Sequence, residues 1–251
     1  MIRPAVPRVI VIVPDPRWEK GTDLFSAENT AVPFSRVEAL AASALAGGAE
    51  AIQLRAKGLP GSELGALGRR LAAACRACGA LFFENDDAAA ALACRADGVH
   101  VGPGDSAPAQ ARRLLGERGL VGVSVYTDED LEQAEAARAD YVAVGAVYPT
   151  STKAIAVVGL DGVRRLRAKT RLPIIAIGGV DATNAAAAIA AGADGVAVIS
   201  AVSGASDPEA ATRELCTQVL AALEVRSQRM AGENEARNSC QDAGGRGYCR
   251  A

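Results

Sequence analysis

The sequence ATNAAAAIAAGADGVAVI, residues 182–199, contains the pattern that decides the fold. Its first part, Ala182–Ala191, is rich in alanine and has helical spacing, and its last part, Gly195–Ile199, is a short β-branched run. Gly192 lies between them, where a glycine ends a helix in a left-handed conformation and lets the chain turn tightly. The stretch therefore predicts a helix followed closely by a strand, as in a parallel sheet.

The same alternation recurs along most of the chain. The candidate strands are Val9–Val13, Ala51–Arg55, Leu81–Glu84, Gly98–Val101, Val121–Val125, Tyr141–Val144, Ile174–Ile177 and Gly195–Ile199. The candidate helices that follow them are Ser35–Ala46, Ser62–Cys78, Asp87–Cys94, Ala107–Leu115, Asp128–Ala137, Leu160–Lys169, Ala182–Ala191 and Pro208–Glu224. Eight such pairs predict an α/β fold, a (β/α)8 TIM barrel that forms a single domain over residues 1–225. A doubly wound open sheet is the alternative.

Two further features concern the scaffold. Several strands follow a short segment of small residues, often with an aspartate, as in AGGA at 46–49, RADG at 95–98, RADY at 138–141 and AGADG at 191–195. From Arg226 onward the sequence loses its periodicity and becomes polar and glycine-rich. We therefore expect residues 226–251 to form a disordered tail without a function of its own.

Composition narrows the class of protein. Half of the 251 residues are hydrophobic, 4% are aromatic and the formal net charge is −2, which disfavours an all-β fold and a nucleic-acid or membrane-surface partner. The sequence contains no apolar run long enough to span a membrane and no cleavable leader, so we expect a cytoplasmic protein. The six cysteines lack a disulfide framework, and Cys75 and Cys78 are interpreted as two thiols on a helix rather than a redox or zinc site.

Polar residues at the strand ends indicate where chemistry takes place, because the site of a barrel forms at the carboxyl ends of its strands. After the second strand, Gln53, Arg55 and Lys57 alternate and point toward one side, and this combination suits a polyanion. Asp86 and Asp105 follow the third and fourth strands, where carboxylates beside cations suggest a Mg²⁺ ion bridged to a phosphate.

Four residues near these strand ends have other interpretations. Asp87 is placed to cap the next helix. His100, the only histidine, lies between valines and is expected to be a hydrogen-bonded core side chain rather than a general base. For Lys57 and Arg55, solvated loop charges are the ordinary alternative.

The second half of the chain supplies a further anion-binding set. Ser124 and Thr127 follow the fifth strand, and the loop Tyr148–Lys153 contains hydroxyls and a lysine. Gly178 and Gly179 follow the seventh strand and Ser200 follows the eighth, where this class of barrel binds phosphate. Two anion-binding regions, one with a metal, imply two phosphorylated substrates or one doubly phosphorylated substrate.

Together these segments resemble the thiamine phosphate synthase family. The matching motifs are QLRAK at 53–57, ND at 85–86, ADGVHVGPGD at 96–105, GVS at 122–124, DYVAVGAVYPTSTK at 140–153, PIIAIGGV at 173–180 and ADGVAVIS at 193–200. The resemblance implies a Mg²⁺-dependent transferase that joins an aminopyrimidine methyl diphosphate to a thiazole phosphate and releases pyrophosphate. It covers residues 50 to 202 and omits the first loop and the tail.

The resemblance also implies roles for individual residues. Diphosphate binding is implied for Gln53, Arg55, Lys57, Asn85 and Lys153, metal binding for Asp86 and Asp105, and contact with the leaving pyrophosphate for Ser124. Thiazole phosphate binding is implied for Thr150, Thr152, Gly179, Ile199 and Ser200. Among these residues, Arg55, Ser124 and Lys153 are expected to act directly on the reaction.

Departures from the family pattern leave alternatives open. The segment Pro14–Pro33 is long, Pro103-Gly104 precedes the second metal aspartate, Tyr126 replaces a common histidine, and Ala154 follows Lys153. A thiazole tautomerase, or a non-catalytic phosphate-binding protein on the same barrel, are the competing functions. The sequence does not decide whether the chain forms a homo-oligomer.

Overall fold

Eight parallel strands close into a barrel in the computed structural model, which describes residues 4–14, 34–150 and 156–244. Each strand pairs with its sequence neighbours, and β1 closes the barrel by pairing with β8. The strands are β1 (Val9–Pro14), β2 (Ala51–Arg55), β3 (Leu81–Asn85), β4 (Gly98–Val101), β5 (Leu120–Ser124), β6 (Tyr141–Val144), β7 (Ile174–Ile177) and β8 (Gly195–Val198). The predicted TIM barrel is confirmed, and closure of β1 on β8 excludes the open sheet.

Helices connect the strands on the outside of the barrel. Their bounds are α1 (Phe34–Ala46), α2 (Gly61–Ala77), α3 (Ala88–Cys94), α4 (Pro108–Leu115), α5 (Asp128–Ala136), α6 (Gly159–Lys169), α7 (Ala185–Ala190), α8 (Ser200–Ser203) and α9 (Pro208–Gly244). All the predicted helices are present, mostly within a residue or two of the expected ends. The four-residue helix α8 is additional, since one turn is too short to give a periodic signal.

Alternation along the strands separates two layers of core. Ile10, Ile12, Phe83, Tyr141 and Ile175 point into the barrel and are almost completely buried. The residues between them point outward and pack beneath the helices in a larger cluster dominated by valine, leucine and alanine. The inner layer fills the lower part of the barrel and leaves its carboxyl end open.

Acidic residues tie the strands together in pairs at the opposite, amino-terminal end. Each precedes an even-numbered strand and accepts a hydrogen bond from a backbone N–H at the start of the odd-numbered strand before it. The acceptors are Glu50, Asp97, Asp140 and Asp194, and the donors are the N–H groups of Arg8, Phe82, Val121 and Ile174, at 2.7, 2.9, 2.7 and 2.9 Å respectively. We call these four contacts the acidic clips; three of them belong to the aspartate segments predicted to be scaffold.

Residues 226–244, expected from the sequence to belong to a disordered tail, continue helix α9 in the structure. The Arg226 guanidinium donates to the carbonyl oxygens of Ile189 and Ala193 at 3.2 and 2.5 Å and to Asp194 Oδ1 at 2.7 Å. The helix loses its apolar stripe where it leaves the barrel surface. Residues of high helix propensity, such as Met230 and Ala231, allow the helix to continue beyond that point. Residues 245–251 lie outside the described part.

The two cysteines at the end of α2 differ in their surroundings. Cys75 is buried in α2, and burial raises the pKa of its thiol to about 12, which keeps it protonated and unreactive. Cys78 follows the helix end and is exposed, and Cys75, Cys78, Cys94 and Cys216 are free thiols. Within the described residues, no helix is both long and apolar enough to cross a membrane.

Candidate active site

A cavity of about 170 Å³ opens at the carboxyl ends of the strands. Its floor is formed by inward-pointing side chains that include Ile10, Ile12, Ala143 and Ile175. Its rim carries polar residues from several strand ends, as the barrel architecture predicts. The predicted site residues that line this cavity are Gln53, Arg55, Lys57, Asn85, Asp86, Asp105, Ser124, Thr150, Gly179, Ile199 and Ser200.

Two predicted residues cannot be placed. Thr152 and Lys153 lie in 151–155, outside the described residues, as does Ala154. Most of the segment Pro14–Pro33 is also outside them. Thr127, which the sequence placed near the cavity, instead caps α5: its hydroxyl accepts from the Asp130 N–H at 3.1 Å while the Asp130 carboxylate accepts from the Thr127 N–H at 2.9 Å. This reciprocal capping explains the residue without a ligand.

The ends of β2 and β3 are joined across the rim. Gln53 Nε2 donates to Asn85 Oδ1 at 2.6 Å. Gln53 is almost completely buried, whereas Arg55 beside it is only partly covered. An amide pair that is hydrogen-bonded before any ligand arrives fixes the direction of its remaining polar groups.

Lys57 connects the two carboxylates that the sequence assigned to a metal. Its Nζ lies 2.7 Å from Asp86 Oδ2 and 3.6 Å from Asp105 Oδ1. Burial and a hydrogen bond shared with Asp105 raise the pKa of Asp86 to about 6. Burial alone would raise the pKa of Asp105, but hydrogen bonds from Asp86 and the Gly102 N–H, together with Lys57, hold it below its ordinary value. Two adjacent carboxylates that share a cation are chemically suited to hold a divalent ion.

Backbone geometry directs neighbouring aspartates in different directions. Asp86 has a φ of 71°, in the left-handed region that is unusual for a residue other than glycine. Asp87 caps α3, accepting from the N–H groups of Ala89 and Ala90 at 2.8 and 3.1 Å. The capping interpretation of Asp87 is thus confirmed, and the strained turn leaves Asp86 at the cavity.

Asp86 and Asp105 alone supply only part of the oxygen ligands that a Mg²⁺ ion needs. Asp86 and Asp105 are hard oxygen ligands, but the described residues contain no cluster of three or more histidine, cysteine or acidic side chains able to enclose a metal. Mg²⁺ often uses one or two carboxylates and completes its coordination with water and substrate phosphate. The residues therefore fit a metal that binds together with a phosphorylated ligand.

The opposite side of the rim is built from close-packed backbone. Gly178 and Gly179 both have positive φ, 88° and 67°. A Cβ atom on Gly179 would lie 2.5 Å from the carbonyl oxygen of Pro149 and 2.8 Å from Tyr148 Cβ. Asn184 Nδ2 donates to the Gly179 carbonyl at 2.9 Å, which orders the loop after β7. This glycine turn, beside Thr150 and Ser200, forms a small uncharged rim region suited to a phosphate.

His100 and Tyr141 form a polar part of the cavity floor beneath Ser124. His100 Nδ1 is 3.1 Å from Tyr141 Oη, and His100 Nε2 is 2.9 Å from Ser124 Oγ. Burial lowers the pKa of His100 to about 4, so the imidazole is neutral at pH 7. His100 is hydrogen-bonded, as expected, but it is only partly covered and lines the cavity instead of lying in the core.

Sequence reasoning missed two residues of the site. Tyr141 was assigned to a strand without a functional role, although its period-two relation to Ala143 placed both on the inner face. Asn184 was included only in a predicted helix, and its loop-ordering contact gives no local sequence signal. Of the departures from the family pattern, Pro103 and Tyr126 both line the cavity.

Comparisons with known proteins agree on one family. A family model described as thiamine monophosphate synthase matches residues 27–202. The thiamine-phosphate synthase of Moorella thermoacetica is 47% identical over 203 residues, which cover 80% of this chain and 95% of that protein. That of Methanoregula boonei is 44% identical over 205 residues, covering 80% and 95%.

A solved structure extends the comparison to three dimensions. The thiamine phosphate pyrophosphorylase from Pyrococcus furiosus superposes with a TM-score of 0.71 at 37% identity, covering 86% of this chain and 96% of that one. A 3-hexulose-6-phosphate synthase at 23% identity, with a TM-score of 0.58, shares the fold alone. On its sequence match, its barrel and the arrangement of its strand-end residues, the chain belongs to the thiamine monophosphate synthase family.

Proposed function

We propose that the protein is a Mg²⁺-dependent transferase that couples an aminopyrimidine methyl diphosphate with a thiazole phosphate to give thiamine phosphate and pyrophosphate. The observation that carries the proposal is the division of one cavity rim into two regions. Asp86, Asp105, Lys57 and Arg55 form a charged region at the ends of β2 to β4, and a glycine turn supplies an uncharged region after β7. Two phosphorylated substrates require two such regions.

The diphosphate is assigned to the charged region. Lys57 and Arg55 supply positive charge, and the Gln53–Asn85 pair supplies amide groups held in place by their mutual hydrogen bond. Asp86 and Asp105 would hold the metal, which when bound neutralises charge on the leaving pyrophosphate. Lys57 already contacts both carboxylates, so the cation and the acidic pair remain within reach of the same diphosphate.

The reaction explains why the site needs charge and positioning rather than a covalent nucleophile. The C–O bond between the pyrimidine methylene and the diphosphate breaks, and its electron pair leaves with pyrophosphate. The lone pair of the thiazole nitrogen then forms the new C–N bond. The ring amino group stabilises positive charge at the methylene, so the protein chiefly stabilises the leaving group and aligns the nitrogen. Ser124 is assigned to the leaving pyrophosphate, and Lys153 to the same group on the basis of sequence.

The thiazole phosphate is assigned to the uncharged region with Gly179, Ile199, Ser200 and Thr150. Thr152 is assigned there from sequence alone. The charged region favours coupling over a tautomerase, because tautomerisation of a thiazole phosphate requires neither a diphosphate site nor paired carboxylates. A cytoplasmic enzyme acting on small phosphorylated molecules, without nucleic acid or membrane partners, is part of this proposal.

The test is a coupling assay with both substrates, in Mg²⁺ and in excess chelator, on the wild type and two matched variants. Asp86→Asn removes a carboxylate from the cavity, whereas Asp87→Asn changes its neighbour, whose cap an asparagine can preserve. We expect chelator to abolish product formation and Asp86→Asn to lower the rate by about a hundredfold or more. Asp87→Asn is expected to retain metal-dependent activity. Full turnover in chelator, or equal rates in both variants, contradicts the metal assignment.

A further inference from the structure

Tyr141, His100 and Ser124 form a chain of hydrogen bonds in the cavity floor. The distances between their heavy atoms do not show which group donates in each bond. An imidazole that accepts a hydrogen bond at one ring nitrogen carries its N–H on the other, so the two ring contacts of His100 then run in the same sense along the chain. Either Tyr141 donates to Nδ1 and Nε2–H donates to Ser124, or both hydrogen bonds are reversed. The two possibilities give Ser124 opposite hydrogen-bonding character toward the cavity.

Tyr141 decides between them. Tyr141 is 1% exposed; a phenol hydroxyl keeps its proton at pH 7, and burial raises its pKa further above the ordinary value. In the part of the chain that the structure describes, His100 Nδ1 is the hydrogen-bond partner found for this hydroxyl. A buried O–H that donates to no acceptor is costly, so the stable arrangement has Tyr141 donating to Nδ1.

The remaining protons follow from that donation. Since Nδ1 accepts, the ring proton must be on Nε2, and Nε2–H donates to Ser124 Oγ at 2.9 Å. The hydroxyl hydrogen of Ser124 is then not used by His100 and is available to the cavity that Ser124 lines. In the reversed arrangement, Ser124 would donate to His100 and present only lone pairs to an incoming anion.

We propose that Tyr141 and His100 are positioning residues that fix Ser124 as a hydrogen-bond donor to the pyrophosphate group. The identity of the anion rests on the proposed function, whereas the direction of the chain rests on the buried Tyr141 hydroxyl and its contact with Nδ1. Packing reinforces the arrangement: His100 and Tyr141 stack with ring centroids 5.6 Å apart, and Phe83 packs edge-on against Tyr141 at 5.9 Å.

Gly122 is the residue that makes room for this chain. A Cβ atom there would lie 2.0 Å from Tyr141 Cζ and 2.4 Å from its Oη, so any side chain at this position would displace the tyrosine. Gly122 is two residues from Ser124 on β5, and the GVS segment therefore supplies both the donor and the space for the group that orients it.

The first test reads the proton position directly. His100 is the only histidine of the chain, so ¹⁵N-histidine labelling gives one imidazole whose protonated nitrogen is identified by NMR at pH 7. We expect the Nε2–H tautomer in the wild type. The Nδ1–H tautomer, or a doubly protonated ring, would overturn the proposed direction without affecting the assignment of the two substrates.

The second test measures binding of pyrophosphate in the presence of Mg²⁺ by calorimetry, with thermal unfolding as the control for folding. Tyr141→Phe keeps the ring and removes only the donor, and we expect affinity to fall about fivefold, as for the loss of one oriented hydrogen bond. Thr217→Val is the control for loss of a hydroxyl, since this hydroxyl donates to the Arg213 carbonyl at 2.8 Å on α9, away from the cavity. Its pyrophosphate affinity is expected to stay within about twofold of the wild type, by the same criterion.

A double-mutant cycle separates positioning from a general structural effect. If Tyr141 acts through Ser124, Tyr141→Phe lowers pyrophosphate affinity in the wild type but has little further effect in Ser124→Ala. Equal losses in both backgrounds would overturn the positioning role. If Ser124→Ala binds pyrophosphate with wild-type affinity, Ser124 does not contact pyrophosphate. The chain of hydrogen bonds then has no role in pyrophosphate binding.

Discussion

Replacing Gly179 with alanine provides a sharp test of the uncharged rim region. The residue has a φ of 67°, and the added Cβ would lie 2.5 Å from the Pro149 carbonyl oxygen and 2.8 Å from Tyr148 Cβ. An L side chain in the left-handed region costs about 1 to 2 kcal/mol. Contacts this short with backbone cannot be relieved by rotating a side chain, so the loops after β6 and β7 must move apart.

The size of the effect on binding follows from the contact that such a movement breaks. A hydrogen bond to a charged group contributes about 1.5 to 3 kcal/mol, and about 1.4 kcal/mol corresponds to a tenfold change in an equilibrium constant. We therefore expect the KM for the thiazole phosphate to rise about tenfold to a hundredfold. The KM for the pyrimidine diphosphate should change little, because its assigned residues lie after β2 to β4.

Gly79 supplies a matched control for the backbone strain. It has a similar φ of 71° and lies in the turn between α2 and β3, where an added Cβ atom would meet nothing within 4 Å. Gly79→Ala should lower the melting temperature by a few degrees, about the effect of 1 kcal/mol on a domain of this size, with both KM values unchanged. The reasoning is refuted if Gly179→Ala binds thiazole phosphate like Gly79→Ala, or if both of its KM values rise equally.

Two further predictions concern the charged region and the scaffold. Arg55→Ala should raise the KM for the pyrimidine diphosphate or lower kcat, with little change in the KM for the thiazole phosphate. Titration of each substrate at a saturating concentration of the other measures these values. The reverse pattern would mean that the two substrates bind in the opposite regions. Asp194→Ala removes the acceptor shared by the Ile174 N–H, Arg167 and Arg226. We expect urea melts to show a free energy of unfolding lower by about 1 to 3 kcal/mol, with both KM values unchanged. Unchanged stability would show that this clip contributes nothing.

The barrel was predictable because each strand and helix carries its own periodic signal and the helix–strand turns use recognisable residues such as Gly192. The extension of α9 was not, since a polar helix that extends beyond the barrel has no apolar stripe to distinguish it from a disordered segment. Helix α8 was missed because one turn of helix is shorter than the period used to detect it.

The site was predictable where a single strand end carries several polar residues, as with Gln53, Arg55 and Lys57. Contacts between distant segments were not: the distance from Lys57 to Asp105 and the hydrogen bond from Asn184 to Gly179 depend on loop conformation that no local pattern encodes. Thr127 was included in the predicted anion-binding set although it caps a helix. A hydroxyl near a strand end can cap the next helix as readily as it can bind a ligand.

The acidic clips divide the barrel into four quarters of two strands each, and this gives the chain a modular architecture. Every clip joins an odd-numbered strand to the even-numbered one that follows, so the connections from β2 to β3, from β4 to β5 and from β6 to β7 lie between quarters and cross no clip. New termini introduced in those connections, by circular permutation or by dividing the gene, leave all four quarters intact. A break between β3 and β4 instead places Phe82 and Asp97 on different halves, so the clip between these two strands can form only when the halves reassemble.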